Sequence, residues 1–247
     1  MSRDLDSAIA TYAEHFKAKV ARLKGYELHA EDRLLLKKNI LVSVIDAVSR
    51  VTSNSADGNR ERFTAVVAHF GDWPDHTRVS APHLSYFLRN LRAPAFSGAR
   101  QAIAEAIRAN SHGGFVPPSA DPELDSIRKL WPVPPDQKLV GQLSLSSFTH
   151  LNLLYHHRNS LVHELREPGY GMEFHEDHEE PFYHGMTAVG AEGEPGERTL
   201  ELVYPLKFYF RLTDAVISNV ASYLRSNRIN PYSAYRFGSS WIGDLNT

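Results

Sequence analysis

The stretch Ser147-Phe148-Thr149-His150-Leu151-Asn152-Leu153-Leu154-Tyr155-His156-His157-Arg158-Asn159-Ser160-Leu161-Val162-His163-Glu164-Leu165-Arg166-Glu167, followed by Pro168-Gly169, decides how this chain is read. Leu151, Leu154, Leu161 and Leu165 recur at helical spacing with Arg158 in the same series. The pattern predicts one helix from about Ser147 to Glu167, stopped by the Pro-Gly pair. Its stripe is that of a helix facing a helical partner. A guanidinium in such an apolar slot needs a carboxylate, a run of acceptors, a subunit boundary or an anionic ligand, because an unpaired buried charge is expensive. Asp46, within the apolar run Val42 to Val48, is the candidate buried carboxylate.

Outward from this helix the periodicity predicts a mainly α chain. Leu5, Ile9, Tyr12, Phe16, Val20 and Leu23 follow one face of a first helix, about Asp4 to Lys24. Leu34, Leu41, Val44, Ile45, Val48 and Val51 mark a second, broken by the polar cluster Ser53 to Gly58. Shorter helices are expected at about Asn59 to Phe70, Ala81 to Leu91 and Ser97 to Ala109. The segment Ser111 to Gln137, with Gly113, Gly114 and six prolines, is expected to be a surface connection holding one short helix near Pro122 to Leu130. Tyr170 to Phe174, Phe182 to Val189 and Thr199 to Tyr204 read as short strands forming a small β-hairpin or sheet. Pro205 suits the first turn of a last helix carrying Leu206, Phe210, Thr213, Ile217, Val220 and Leu224. Tyr232, Tyr235, Phe237 and Trp241 make the tail too aromatic for a disordered end, so it is expected to dock.

The expected organisation is therefore one elaborated domain over 1–247. Its helical core covers about 4–167 and 205–226, its β insertion about 170–204 and its docked aromatic tail 227–247. A chain of 247 residues, 42% hydrophobic, can bury a substantial core. The absence of cysteine excludes disulfide frameworks, thiolate metal sites and cysteine nucleophiles, and fits a reducing compartment. With no apolar stretch long enough for a signal peptide or membrane span, a cytoplasmic protein is expected. A net charge of −2 provides no overall basic field, so any contact with RNA must be local.

Asn159 and His163, four residues apart, share a helix face within roughly 40°, whereas Arg158 lies roughly 140° from His163. Its long side chain can fold toward that face. An amide, an imidazole and a guanidinium converging at one helix edge suit a phosphodiester and require no metal. Arg158-Asn159-Ser160-Leu161-Val162-His163 resembles the motif of the HEPN superfamily: arginine, a polar residue, then histidine after four to six intervening positions. The resemblance implies a HEPN-like helical bundle and a homodimer whose motif helices face each other to complete a composite site. The implied activity is a metal-independent endoribonuclease, of the kind found in stress, toxin or phage-defence systems, sometimes with an antitoxin or regulatory partner. It assigns catalysis to Arg158, Asn159 and His163, with Asp46, His157 and Tyr155 in support and no cofactor. In that mechanism the RNA 2′-hydroxyl attacks phosphorus, His163 is general acid or base, Arg158 steadies the transition-state charge and Asn159 orients the phosphate or the histidine.

Other features are read more plainly. A second Arg-x4-His, Arg78 to His83, has Pro82 just before the histidine, so a continuous helix through it is not expected. His156 and His157 read as surface polar residues unless they assist phosphate binding. His175-Glu176-Asp177-His178 with His184 offers metal-ligand types but no zinc spacing, and no metal is assigned. Arg89, Arg92, Arg100 and Arg108 read as solvated charges with the capacity to guide an RNA backbone. In one HEPN variant a tyrosine two residues after the histidine is modified by a partner nucleotidyltransferase antitoxin; here that position is Leu165, with Tyr170 the nearest tyrosine beyond it, so the resemblance does not imply that regulation. The alternative class is a non-catalytic binding or assembly module for nucleotides, RNA or a partner protein.

Overall fold

The computed structural model describes residues 4–27, 30–54, 56–91, 93–110, 115–169, 173, 178–189 and 195–234. In chain order the elements are α1 (Leu5–Lys24), α2 (Ala30–Ser49), α3 (Asn59–Phe70), α4 (Ala81–Leu91), α5 (Ser97–Ala109), β1 (Phe115–Val116), α6 (Leu124–Arg128), α7 (His150–Asn159), β2 (Phe182–Val189), β3 (Pro195–Val203) and α8 (Leu206–Ser226). The fold is mainly α with a small antiparallel sheet of order β1-β2-β3. No helix among the described residues is long and apolar enough to cross a membrane. The chain divides into two compact units, 1–72 with 210–247 and 73–209, and α8 runs from the second into the first.

In the first unit, Ile9, Tyr12, Phe16 and Val20 of α1, Leu41, Ile45 and Val48 of α2, Phe63 and Val67 of α3, and Leu212, Val216 and Val220 of α8 are all buried. On α1 and α2 these are positions the periodicity marks; on α8 the marked Thr213, Ile217, Val220 and Leu224 are buried and Leu212 and Val216 join them. Glycine stands at the C-cap of α3 because a side chain has no room there: a Cβ would stand 2.5 Å from the Val67 carbonyl oxygen and 2.7 Å from Leu212 Cδ1. The Asn219 amide donates to the Phe70 carbonyl at 3.1 Å and to Asp72 Oδ2 at 2.9 Å, tying α8 to the end of α3. In the tail, Pro231 is buried and Tyr232 meets Tyr12 edge to face at 6.2 Å. Tyr235, Phe237 and Trp241 lie outside the described residues.

In the second unit, Leu84, Phe87 and Leu88 of α4 pack with Ala99 and Ile103 of α5, and with Phe96, Ile127, Trp131, Leu145 and Phe148. The proline-rich segment after α5 is thus more than a surface connection. Val116 pairs with β2, and Pro118, Asp121, Ile127 and Trp131 are buried. Burying an indole and an isoleucine stabilises this loop-rich path by several kcal/mol, which local turn chemistry does not reveal. The β2–β3 hairpin pairs Phe182 with Val203 and Tyr183 with Leu202, with an irregularity between Thr187 and Val189. Of the first expected strand, Tyr170 to Phe174, only Glu173 is described, and it lies outside any strand.

The residues between Trp73 and α4 act as a short strap. Val79 N–H donates to the Pro122 carbonyl, Ser80 N–H to Phe148 and His150 N–H to Arg78, each at 2.9 Å. These three bonds draw 78–80, 121–123 and 148–150 together. The base of α7 is consequently held on several sides. The Tyr204 hydroxyl also donates to the His150 carbonyl at 3.2 Å.

Candidate functional site

Helix α7 begins at Thr149, whose hydroxyl accepts from Asn152 N–H at 3.4 Å, an N-cap that satisfies a first-turn donor. The helix does not run on as α to Glu167. After Asn159 it widens into a π turn, Ser160–Glu164, closed by Leu165 N–H to the Ser160 carbonyl. Leu165 stops it in the left-handed region at φ 51°, ψ 42°. The apolar stripe fails at the same place: Leu154, Arg158 and Leu161 are buried, while Leu165 is 60% exposed.

The wide turn brings the motif together. In a straight α-helix, residues five apart point in different directions, but a turn closed by i→i+5 bonding returns the fifth residue near the starting face. Arg158 Nη1 accordingly lies 3.3 Å from His163 Nε2 and donates to Asn159 Oδ1 at 3.0 Å. The guanidinium carbon sits 5.9 Å from the Tyr155 ring centroid. Arginine has no acceptor, so the contact with His163 fits a neutral imidazole with its proton on Nδ1. Arg158 is buried at 8% exposure, Asn159 is half-buried and His163 is exposed. An imidazole faces solvent with a shielded cation behind it.

His157 corrects the expectation that both histidines before the motif are surface residues. His156 is exposed, but His157 is buried. The Tyr209 hydroxyl lies 2.8 Å from His157 Nδ1, and Glu167 Oε2 lies 3.4 Å from Nε2. Burial, Glu167, Tyr204 and Glu173 together push the Tyr209 hydroxyl well above its ordinary pKa, so it remains a donor. His157 thus packs the back of α7. Asp46 stands half-buried on α2, in the first unit, whereas Arg158 belongs to the second.

A separate polar cluster lies at the other end of α7. Asp121, 6% exposed, accepts at Oδ1 from Ala81 N–H at 3.0 Å. Its Oδ2 meets His150 Nε2 at 2.7 Å and the Tyr183 hydroxyl at 2.6 Å. Ser80 Oγ lies 2.7 Å from the Tyr183 hydroxyl and 2.7 Å from His83 Nδ1. Burial and the neighbouring carboxylate raise the Tyr183 pKa well above the usual phenol value. Burial is also the main cause that lowers His83 to about 4, with His150 adding to the effect. Sequence reasoning missed this cluster because its members come from four distant segments; only the Arg78-x4-His83 spacing touched it. Arg78 itself is engaged by Asp75 at 3.1 Å and Glu123 at 2.7 Å, and Pro82 sits in the first turn of α4.

Among the described residues no cluster of three metal-ligating side chains occurs, and His175, Glu176 and Asp177 lie outside them. Comparison with family models, curated proteins and solved structures gave no match for the chain.

Proposed function

We propose that the protein is a metal-independent endoribonuclease of HEPN type, with Arg158, Asn159 and His163 as its catalytic residues and a homodimer as its working form. The observation that carries this reading is the 3.3 Å approach of Arg158 Nη1 to His163 Nε2 at a solvent-facing helix edge. A phosphodiester reaching that edge meets an imidazole for proton transfer and a guanidinium for the developing negative charge. As the guanidinium turns to the phosphate it frees His163 Nε2, which takes the proton of the RNA 2′-hydroxyl while that oxygen bonds to phosphorus and the bond to the 5′-oxygen breaks. The leaving 5′-oxygen takes a proton from water, and the other product ends in a 2′,3′-cyclic phosphate. Asn159, already bonded to Arg158, hands its place on the guanidinium to a phosphate oxygen. A role in stress response, toxin systems or phage defence belongs to this same proposal.

The burial of Arg158 favours a second reading, in which the motif braces a non-catalytic binding or assembly module. Wild-type, His163→Ala and Arg158→Met proteins incubated with a defined single-stranded RNA in EDTA separate the two. The first reading expects cyclic phosphate ends from wild type alone, with both variants folded. RNA left intact by folded wild type moves the conclusion to the second reading, and cleavage surviving His163→Ala sinks the catalytic assignment.

A further inference from the structure

The second unit has a half-open cavity of about 790 Å³ between α4, the loop before α7 and β3. Its apolar walls include Phe87, Ile107, Leu143, Phe148 and Leu153, and His83 stands on a polar edge with Arg89 and Glu201. This volume falls within the range of about 300–1,000 Å³ common for small-molecule sites, which are mainly apolar with a few placed polar groups. The Phe87 and Phe148 rings, with centroids 4.9 Å apart, form an aromatic wall.

The buried hydrogen bonds determine what His83 presents. Tyr183 has one hydroxyl proton, and its shortest contact is with the Asp121 carboxylate. The Ser80–Tyr183 contact then requires Ser80 to donate to the phenol oxygen. With the Ser80 proton used there, His83 Nδ1 must donate to Ser80 Oγ. His150 closes the other end: its Nε2–H serves Asp121, and its Nδ1 is buried without a partner, tolerable for a lone pair and costly for an N–H. Proton order therefore runs His83 to Ser80 to Tyr183 to Asp121. His83 Nε2 is left as a lone pair. With Nδ1 turned to Ser80, Nε2 lies on the ring edge away from it, and His83 is a residue lining the cavity.

We propose that this cavity binds a small neutral aromatic molecule that donates an N–H or O–H hydrogen bond to His83 Nε2. The mainly apolar walls, which carry Arg89 and Glu201 as charges of opposite sign, favour a neutral guest; the tilted Phe87–Phe148 pair favours an aromatic one, and the fixed lone pair selects a donor. Held near a pKa of about 4, His83 remains an acceptor at neutral pH. This site is independent of Arg158 and His163.

Indole and 1-methylindole, alike in shape but differing in the N–H, are the probes. Long-range 1H–15N spectra of the full chain should show His83 protonated at Nδ1, with its Nε2 resonance moving as indole is added. Wild type should bind 1-methylindole roughly 3–10-fold more weakly than indole, the worth of one hydrogen bond. His83→Phe should bind the two alike. An Nε2–H tautomer, equal binding of both probes by wild type, or no His83 response to millimolar indole would each overturn the proposal; the wild-type comparison stands even if the variant fails to fold.

Discussion

Replacing Asp121 by Asn tests the buried cluster most directly, because it keeps the shape of the side chain and changes only what its atoms can accept. In the native protein the carboxylate takes three hydrogen bonds, from Ala81 N–H, His150 Nε2 and the Tyr183 hydroxyl. Asparagine retains one acceptor, which Ala81 can keep, and sets an NH2 group against the other two donors. Tyr183 has an escape, since its hydroxyl can turn to Ser80 Oγ. His150 has a poorer one: its Nε2–H faces the new NH2 and reaches only the Tyr183 oxygen at 3.4 Å, and moving the proton to Nδ1 leaves a buried N–H with no partner.

A buried donor left unsatisfied costs about 1–3 kcal/mol, and lost bonds to a charged acceptor about 1.5–3 kcal/mol each. After the partial rescue of Tyr183, Asp121→Asn should destabilise the protein by about 2–4 kcal/mol. That is a large share of the roughly 5–15 kcal/mol typical of a folded domain. Urea unfolding followed by circular dichroism should show a lower midpoint with the slope unchanged. Tyr183→Phe made in the Asp121→Asn background should cost less than in wild type, because the two groups share a bond. A loss below about 0.5 kcal/mol would mean that Asp121 is already protonated. The proton order assigned to His83 would then fall with it.

The remaining expectations follow from the same geometry. With His83 near a pKa of about 4 in the folded chain against an ordinary 6.5, the unfolded chain takes up a proton in that window that the folded one refuses. Its contribution of roughly 3 kcal/mol is present above pH 6.5 and is lost as pH falls toward 4, so urea midpoints of wild type should drop across that window more steeply than those of His83→Phe. Leu165 pays for a left-handed backbone at φ 51° without burying its side chain, so Leu165→Gly should raise stability by about 0.5–1 kcal/mol in thermal unfolding. A drop in melting temperature for that variant would mean that Leu165 makes a contact worth more than its strain.

Where turn chemistry punctuates the chain, its folding is readable from local pattern. Gly71, Pro94 and the Ser53–Gly58 cluster bound helices whose limits the structure reproduces, and β2 covers the strand expected at Phe182 to Val189. Two features were not legible. The meeting of Arg158 with His163 is expected from the sequence, but a π turn has no residue signature of its own, so nothing in Ser160 to Glu164 announces the widened turn on which they meet. Asp121, His150 and Tyr183 are separated by 29 and 33 residues; the strap at 78–80 joins the first two segments and the pairing of Val116 with Tyr183 adds the third. Even the reason for burying Trp131 is tertiary.

Both polar centres use α7, and they ask opposite things of it. Its first residue, His150, is held by backbone bonds, by Asp121 and by Tyr204, so the base of the helix has a defined place. Its last turn is widened and strained, which lets a buried arginine meet an exposed histidine. A stiff base makes a strained end persist, because strain relaxes unless its surroundings resist. Loosening the base by Asp121→Asn and relaxing the end by Leu165→Gly therefore act on separate parts of one device. The first removes stability, and the second lowers the cost of the left-handed stop while leaving Arg158 against His163.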